Sequence, residues 1–132
     1  MAASFKYTWK GDQVTAELRQ RASRGVLRAA HIVEAEMITL ILRTQKSGRV
    51  YGNHQASAPG EPFASDSGRT VQGIHVKHQH GALRATVIAS GENARRMELG
   101  TKRMKRRPFF LRAFMNKRKD MRAAIANAIK RG

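Results

Sequence analysis

The chain contains no cysteine, so disulfide staples, thiolate metal sites and Cys nucleophiles are all excluded. Acids are scarce as well: nine Asp/Glu stand against 26 Lys/Arg, for a formal net charge of +17 at pH 7. No uninterrupted apolar run approaches the roughly 20 residues needed to cross a bilayer. The N-terminus, MAASFKYTWKGD, lacks the apolar core of a signal peptide and carries charge by Lys6. The expectation is a chain made in the cytoplasm, with no membrane partner. Aromatics make up only 6% of the residues, and none are interleaved with the basic runs as base-stacking platforms would be.

What is present fits one modest core. The 132 residues are 41% hydrophobic, and six Met with five Phe supply adaptable filling. We read residues 1–132 as a single domain carrying a loop arm at about 45–68. A pI near 11.6 is extreme for this length. Self-repulsion at that charge weakens an isolated compact state, which implies an anionic partner or a larger assembly.

Periodicity gives the elements. Phe5, Tyr7 and Trp9 alternate with polar residues as a half-buried strand does. Asp12 then suits an N-cap. From Val14 through Leu18, Ala22, Val26, Ala29, Val33, Met37, Leu40 and Ile41, apolar residues recur every three or four positions, which predicts an amphipathic helix to about Arg43. Gly25 is its weak point.

The arm changes character. SGRVYGNHQASAPGEPFASDSG is rich in Gly, Ser, Ala and Pro, and Pro59-Gly60 matches the centre of a type II turn. Val50, Tyr51 and Phe63 are apolar anchors that a pure linker would lack, so the arm is expected to order on assembly.

Two strands are expected next, from about Thr70 to His78 and from Leu83 to Ala89, joined by a turn at Gln79-His80-Gly81-Ala82. A short helix over Glu92 to Leu99, stopped by Gly100, precedes a last helix from Phe110 to Lys130. On that helix Phe110, Leu111, Phe114, Met115, Met121, Ile125 and Ile129 form the apolar face. The fold class is α+β: long N- and C-terminal helices on a small antiparallel sheet, with a long mobile loop.

Few residues invite chemistry. His75, His78 and His80 are close in sequence, but no acid lies near and Lys77 and Arg84 surround them, so solvated hairpin-tip histidines outweigh a metal site. Glu34 and Glu36 are two apart on a helix and diverge. Glu92 and Glu98 flank Arg95 and Arg96, which favours ion pairing over acid–base work. GxSxG, GxGxxG and a phosphate-binding P-loop are missing. The reading is of a protein without cofactor or metal and not an enzyme.

The basic residues concentrate late in the chain. From Arg95 to Gly132 there are fourteen Lys/Arg and two acids, the electrostatic footprint expected for phosphate contact. Within MELGTKRMKRRPFF, Lys102, Arg103, Lys105 and Arg106 form a basic loop facing either DNA or an acidic protein surface.

The frame around that loop carries a resemblance. AxxxELGT (Ala94, Glu98, Leu99, Gly100, Thr101), then RRPFF (Arg107, Pro108, Phe109, Phe110) and an amphipathic helix resemble the neck and tail-completion proteins of long-tailed bacteriophages. The upstream SAPGEP followed by Ser-Gly-Arg is similar to that family's loop, and the order of elements agrees. Asn93, Leu99 and Thr70 depart from its pattern, the first two replacing usual aromatics.

The resemblance implies a structural virion protein, forming a ring of about six copies between head-completion and tail-tube proteins, with DNA passing through. It implies that Glu98 to Thr101 and Arg107 to Phe110 are turn and core anchors. Gly100 would take a positive φ, and Glu98 would accept hydrogen bonds from that turn or pair with an Arg. Phe109 and Phe110 would plug the core. Val50, Tyr51, Pro59, Gly60, Glu61, Pro62 and Phe63 would form a loop reaching the adjacent subunit. The alternative is a small basic protein that binds nucleic acid non-specifically.

Overall fold

The computed structural model describes residues 4, 11–43, 46–52, 54–62, 64 and 69–131. The expected strand over Phe5 to Trp9 and the anchor Phe63 lie outside the described residues. The fold is α+β. Helix α1 spans Gly11–Leu42, strands β1 (Val50–Tyr51) and β2 (His54–Gln55) pair within the arm, and a single turn α2 covers Arg69–Gln72. Then come β3 (Ile74–His78), β4 (Ala85–Ala89), α3 (Glu92–Leu99) and α4 (Phe110–Arg131).

Helices α1 and α4 lie side by side and run antiparallel. Arg21 of α1 donates to the Ile129 carbonyl of α4 at 3.3 Å, while Glu36 meets Lys117 at 3.7 Å near the other end. Gly25 sits between these points. A Cβ there would stand 2.8 Å from Ile125 Cα and 3.0 Å from Ala128 Cβ. The glycine that looked like a helix weakness is instead a point of close approach between α1 and α4, a contact that any side chain would hold open.

The β3–β4 hairpin packs on α1 in antiparallel register, with Ile74 opposite Ala89 and His78 opposite Ala85. Its turn closes through Ala82 N–H to Gln79 C=O at 3.0 Å, with Gly81 at φ +81°. His78 is tied down: its Nε2 lies 3.0 Å from Ser23 Oγ and 3.2 Å from the Ala82 carbonyl, which fastens the hairpin tip to α1. The core consists of Val33, Met37, Leu40, Ile41, Ile74, Ala94, Phe109 and Ala113.

Several expectations need correction. Helix α1 starts at Gly11, so Asp12 stands inside its first turn, where a carboxylate favours the positive end of the helix dipole, and is not the cap. Thr70 and Val71 belong to α2, and the strand begins only at Ile74. Leu83 precedes β4 and is exposed. On α4, Leu111, Phe114 and Met115 face solvent. The buried line instead uses the small residues Ala113 and Ala128, because close approach to α1 leaves no room for larger ones.

The arm is also less structureless than its composition suggests. Its β1–β2 pairing sets Val50 opposite Gln55 and Tyr51 opposite His54. The expected turn at Pro59-Gly60 forms, with Gly60 at φ +88° and Glu61 N–H bonded to the Ala58 carbonyl at 3.1 Å.

Candidate functional site

The segment from α3 to the start of α4 is built around one carboxylate. Helix α3 ends as its sequence predicts: Gly100 takes φ +76° and its N–H bonds the Arg96 carbonyl at 2.7 Å. Besides that conformation, the site has no space for a side chain. A Cβ on Gly100 would meet Arg106 N and Met104 O at 3.0 Å. Thr101 then holds a tight turn, its Oγ1 accepting from Arg103 N–H at 3.3 Å and Met104 N–H at 3.1 Å. The chain returns alongside α3, where Arg107 N–H reaches the Met97 carbonyl at 2.6 Å.

Helix α4 begins without a cap of its own. The Phe109 carbonyl accepts from Ala113 N–H, which places Phe109 at the N-cap position with a side chain that cannot accept anything. Glu98 supplies the missing acceptor from eleven residues away. Its Oε2 takes the N–H groups of Phe109 and Phe110 at 2.8 and 2.9 Å, and its Oε1 takes that of Leu111 at 3.0 Å. A carboxylate at this end is also favoured by the helix dipole. The aromatic ring freed from capping fills the core: Phe109 is 1% exposed and meets Phe110 edge to face, centroids 6.4 Å apart. Glu98 therefore serves the start of α4 and not the Gly100 turn.

Of the motif residues, Pro108 and Phe109 are buried and Phe110 half-buried, as anchors should be. Leu99 is not an anchor. It is 67% exposed, because at the last position of α3 it points away from the core that Ala94 enters.

The arm docks on this junction. Arg107 Nε donates to the Ser57 carbonyl at 3.0 Å, Gly60 N–H to the Arg106 carbonyl at 3.0 Å, and an Arg112 guanidinium nitrogen to the Gly60 carbonyl at 2.9 Å. Ser57 and Pro62 are buried there. Glu61 organises the arm from within. It accepts from Ser47 N–H at 3.0 Å and Ala58 N–H at 2.9 Å, and it bonds the Ser47 hydroxyl. These bonds, the Ser47 hydroxyl first, hold its pKa down to about 2. Lys46 reaches back to the Leu40 carbonyl at 2.7 Å at the C-terminal end of α1. Burial lowers its pKa; the Glu61 charge opposes that and Arg112 adds to it.

So Gly60, Glu61 and Pro62 are engaged within their own chain, while Pro59 is exposed. Val50 and Tyr51 stay exposed, with the Arg49 guanidinium 5.1 Å over the Tyr51 ring. Lys102, Arg103, Lys105 and Arg106 are all exposed on the face of the turn. His75, His78 and His80 do not converge: His75 Nδ1 lies 3.1 Å from the Gly73 carbonyl, and His78 is held by Ser23 and Ala82. Among the described residues no group of three His, Asp or Glu is placed to hold a metal, and no helix is long and apolar enough to cross a membrane.

Two features went unread in the sequence. One is the Glu98 cap on α4, whose signal was a helix opening on Pro-Phe-Phe with no Ser, Thr, Asp or Asn before it. The other is the docking of the arm on Arg107 and Arg112, which mere composition does not signal. No family model, curated protein or solved structure matches this chain.

Proposed function

We propose that this chain is a structural subunit of the head–tail junction of a tailed bacteriophage. It assembles there as a ring, six copies being the expected number, that joins the DNA-filled head to the tail tube and lets DNA pass. Its partners on this reading are copies of itself and the head-completion and tail-tube proteins, and its place is the virion.

The observation that carries the reading is the Glu98 device. Three of the residues that carry the resemblance fall on one mechanical unit, in which Gly100 turns the chain, Glu98 caps α4 and Phe109 fills the core. None of them is left as a reactive group in a cleft. A carboxylate, a glycine turn and a buried ring spent on joining two helices suit a subunit that must hold its shape within an assembly. Electron microscopy of virions carrying a tagged copy tests the proposal. Density for the tag at the head–tail junction is expected, and density in the capsid wall or at the tail tip would overturn it.

A second reading, non-specific nucleic-acid binding by the free protein, is favoured by the exposed Lys102, Arg103, Lys105 and Arg106. Titration with duplex DNA at increasing salt separates the two. Tight binding at physiological salt with a steep salt slope favours the second reading. Binding that vanishes there, with ring formation at high protein concentration, favours the first.

A further inference from the structure

Past Met115, helix α4 turns Lys117, Met121, Ala124, Ile125 and Ala128 toward α1, the element that packs on it most extensively. The opposite side carries Arg118, Lys119, Arg122 and Lys130, all exposed. At roughly 3.6 residues per turn they fall within about a third of the circumference, in a row about 18 Å long. Lys119 and Lys130 stand almost in line, about three turns apart. Ala123 and Ala126 lie between them, both exposed and too short to hold a docked surface away.

This row is not neutralised within the chain. Elsewhere the helices pair their charges: Arg21 with Glu17, His31 with Glu34, and Lys117 with both Glu36 and Asp120. Two further acids, Glu61 and Glu98, are spent on backbone amides. Asp120, the one acid of α4, lies on the flank where Lys117 meets α1. Among the described residues, none of Arg118, Lys119, Arg122 and Lys130 has an ion-pair or side-chain hydrogen-bond partner. Arg118 and Lys119 stand one helical turn before Arg122, where like charges repel. A partner that brings negative charge along the whole row relieves that repulsion.

We infer that this face of α4 is a contact surface for the phosphate backbone of duplex nucleic acid. Interfaces between proteins deplete charge at their centre, Lys included, whereas interfaces with DNA are strongly positive. A helix that lies on a membrane needs an apolar face to insert, and past Met115 that face is already packed on α1. Single strands are held largely by aromatic stacking, and residues 115–131 contain no aromatic. A rigid row of cations instead suits a rigid, evenly charged rod, touching its phosphates and leaving its bases unread. The surface is separate from the turn at Lys102 to Arg106, and the inference rests on neither that turn nor the ring.

The full-length protein is titrated with a mixed-sequence DNA duplex at increasing salt. One variant combines Arg118→Gln, Lys119→Gln, Arg122→Gln and Lys130→Gln. A matched variant combines Lys102→Gln, Arg103→Gln, Lys105→Gln and Arg106→Gln, which removes the same charge elsewhere. The α4 variant should reduce the slope of log affinity against log salt by about three to four, and the matched variant by less than about half of that. Circular dichroism checks that both variants fold. In the parent protein, duplex should also slow acetylation of Lys119 and Lys130 relative to Lys77. An α4 variant with the parent slope, equal losses in the two variants, or unslowed acetylation at Lys119 and Lys130 would overturn the surface. Polyglutamate or phosphatidylserine vesicles bound as tightly as the duplex would overturn the choice of partner. Slowed acetylation in a protein that never forms rings supports this surface and overturns the ring; rings with both lysines unslowed do the reverse.

Discussion

Replacing Glu98 by Ala should cost about 3 kcal/mol of folding stability, far more than a half-exposed surface glutamate usually does. Loss of an N-cap acceptor costs about 0.5–2 kcal/mol. A carboxylate at a helix N-terminus adds roughly 0.3–1 kcal/mol through the dipole. The N–H of Phe109, on a residue only 1% exposed, would also be left without its acceptor, at about 1–3 kcal/mol. These contributions overlap, and the amides of Phe110 and Leu111 regain water, so the total falls in the lower half of the combined range, at about 3 kcal/mol. Glu98→Gln keeps one carbonyl oxygen but turns an NH₂ group toward a donor, so about half the loss is expected. Urea titration followed by circular dichroism reads both variants, and an unchanged m-value shows that the same two states are compared. A loss below about 1 kcal/mol for the Ala variant, or a Gln variant as stable as the parent, would refute the reasoning.

Gly25→Ala should destabilise by roughly 1–3 kcal/mol even though alanine favours helix by about 1 kcal/mol, because its Cβ meets the α4 backbone. A gain in urea midpoint would overturn that. Phe109→Ala should cost about 3–5 kcal/mol and abolish assembly; a fully stable, soluble variant would contradict its burial. Glu61, with its pKa depressed to about 2, contributes stability that is present above about pH 4.5 and is lost as pH falls toward 2. Protection of the Ser47 and Ala58 amides, measured against their intrinsic exchange rates at each pH, should fall across that window in the parent protein. Glu61→Gln should show little protection at every pH, and a parent profile flat from pH 5 to 2 would count against the Glu61 hub.

Much of the fold was legible because its signals are local. The 3.6-residue period of α1, Gly100 after α3 and Pro59-Gly60 each act through the backbone of their own neighbours. The misreadings share one cause. Leu111, Phe114 and Met115 have the right spacing for a buried face, but which side of α4 is buried depends on Gly25 and Ala128 letting the helices close on each other. Val71 reads as a strand residue, yet the pairing of Ile74 with Ala89 starts the sheet three residues later.

The sequence by itself determined the charge, the exclusion of thiol chemistry, the two long helices and the glycine turn. Each of these is a property of residue types or of contacts within a few positions. Only the tertiary structure decided that Glu98 caps a helix eleven residues away, that Gly25 is a crossing point and that the arm leans on Arg107 and Arg112. Those are meetings of distant chain segments, and their energies depend on distances that no spacing rule contains.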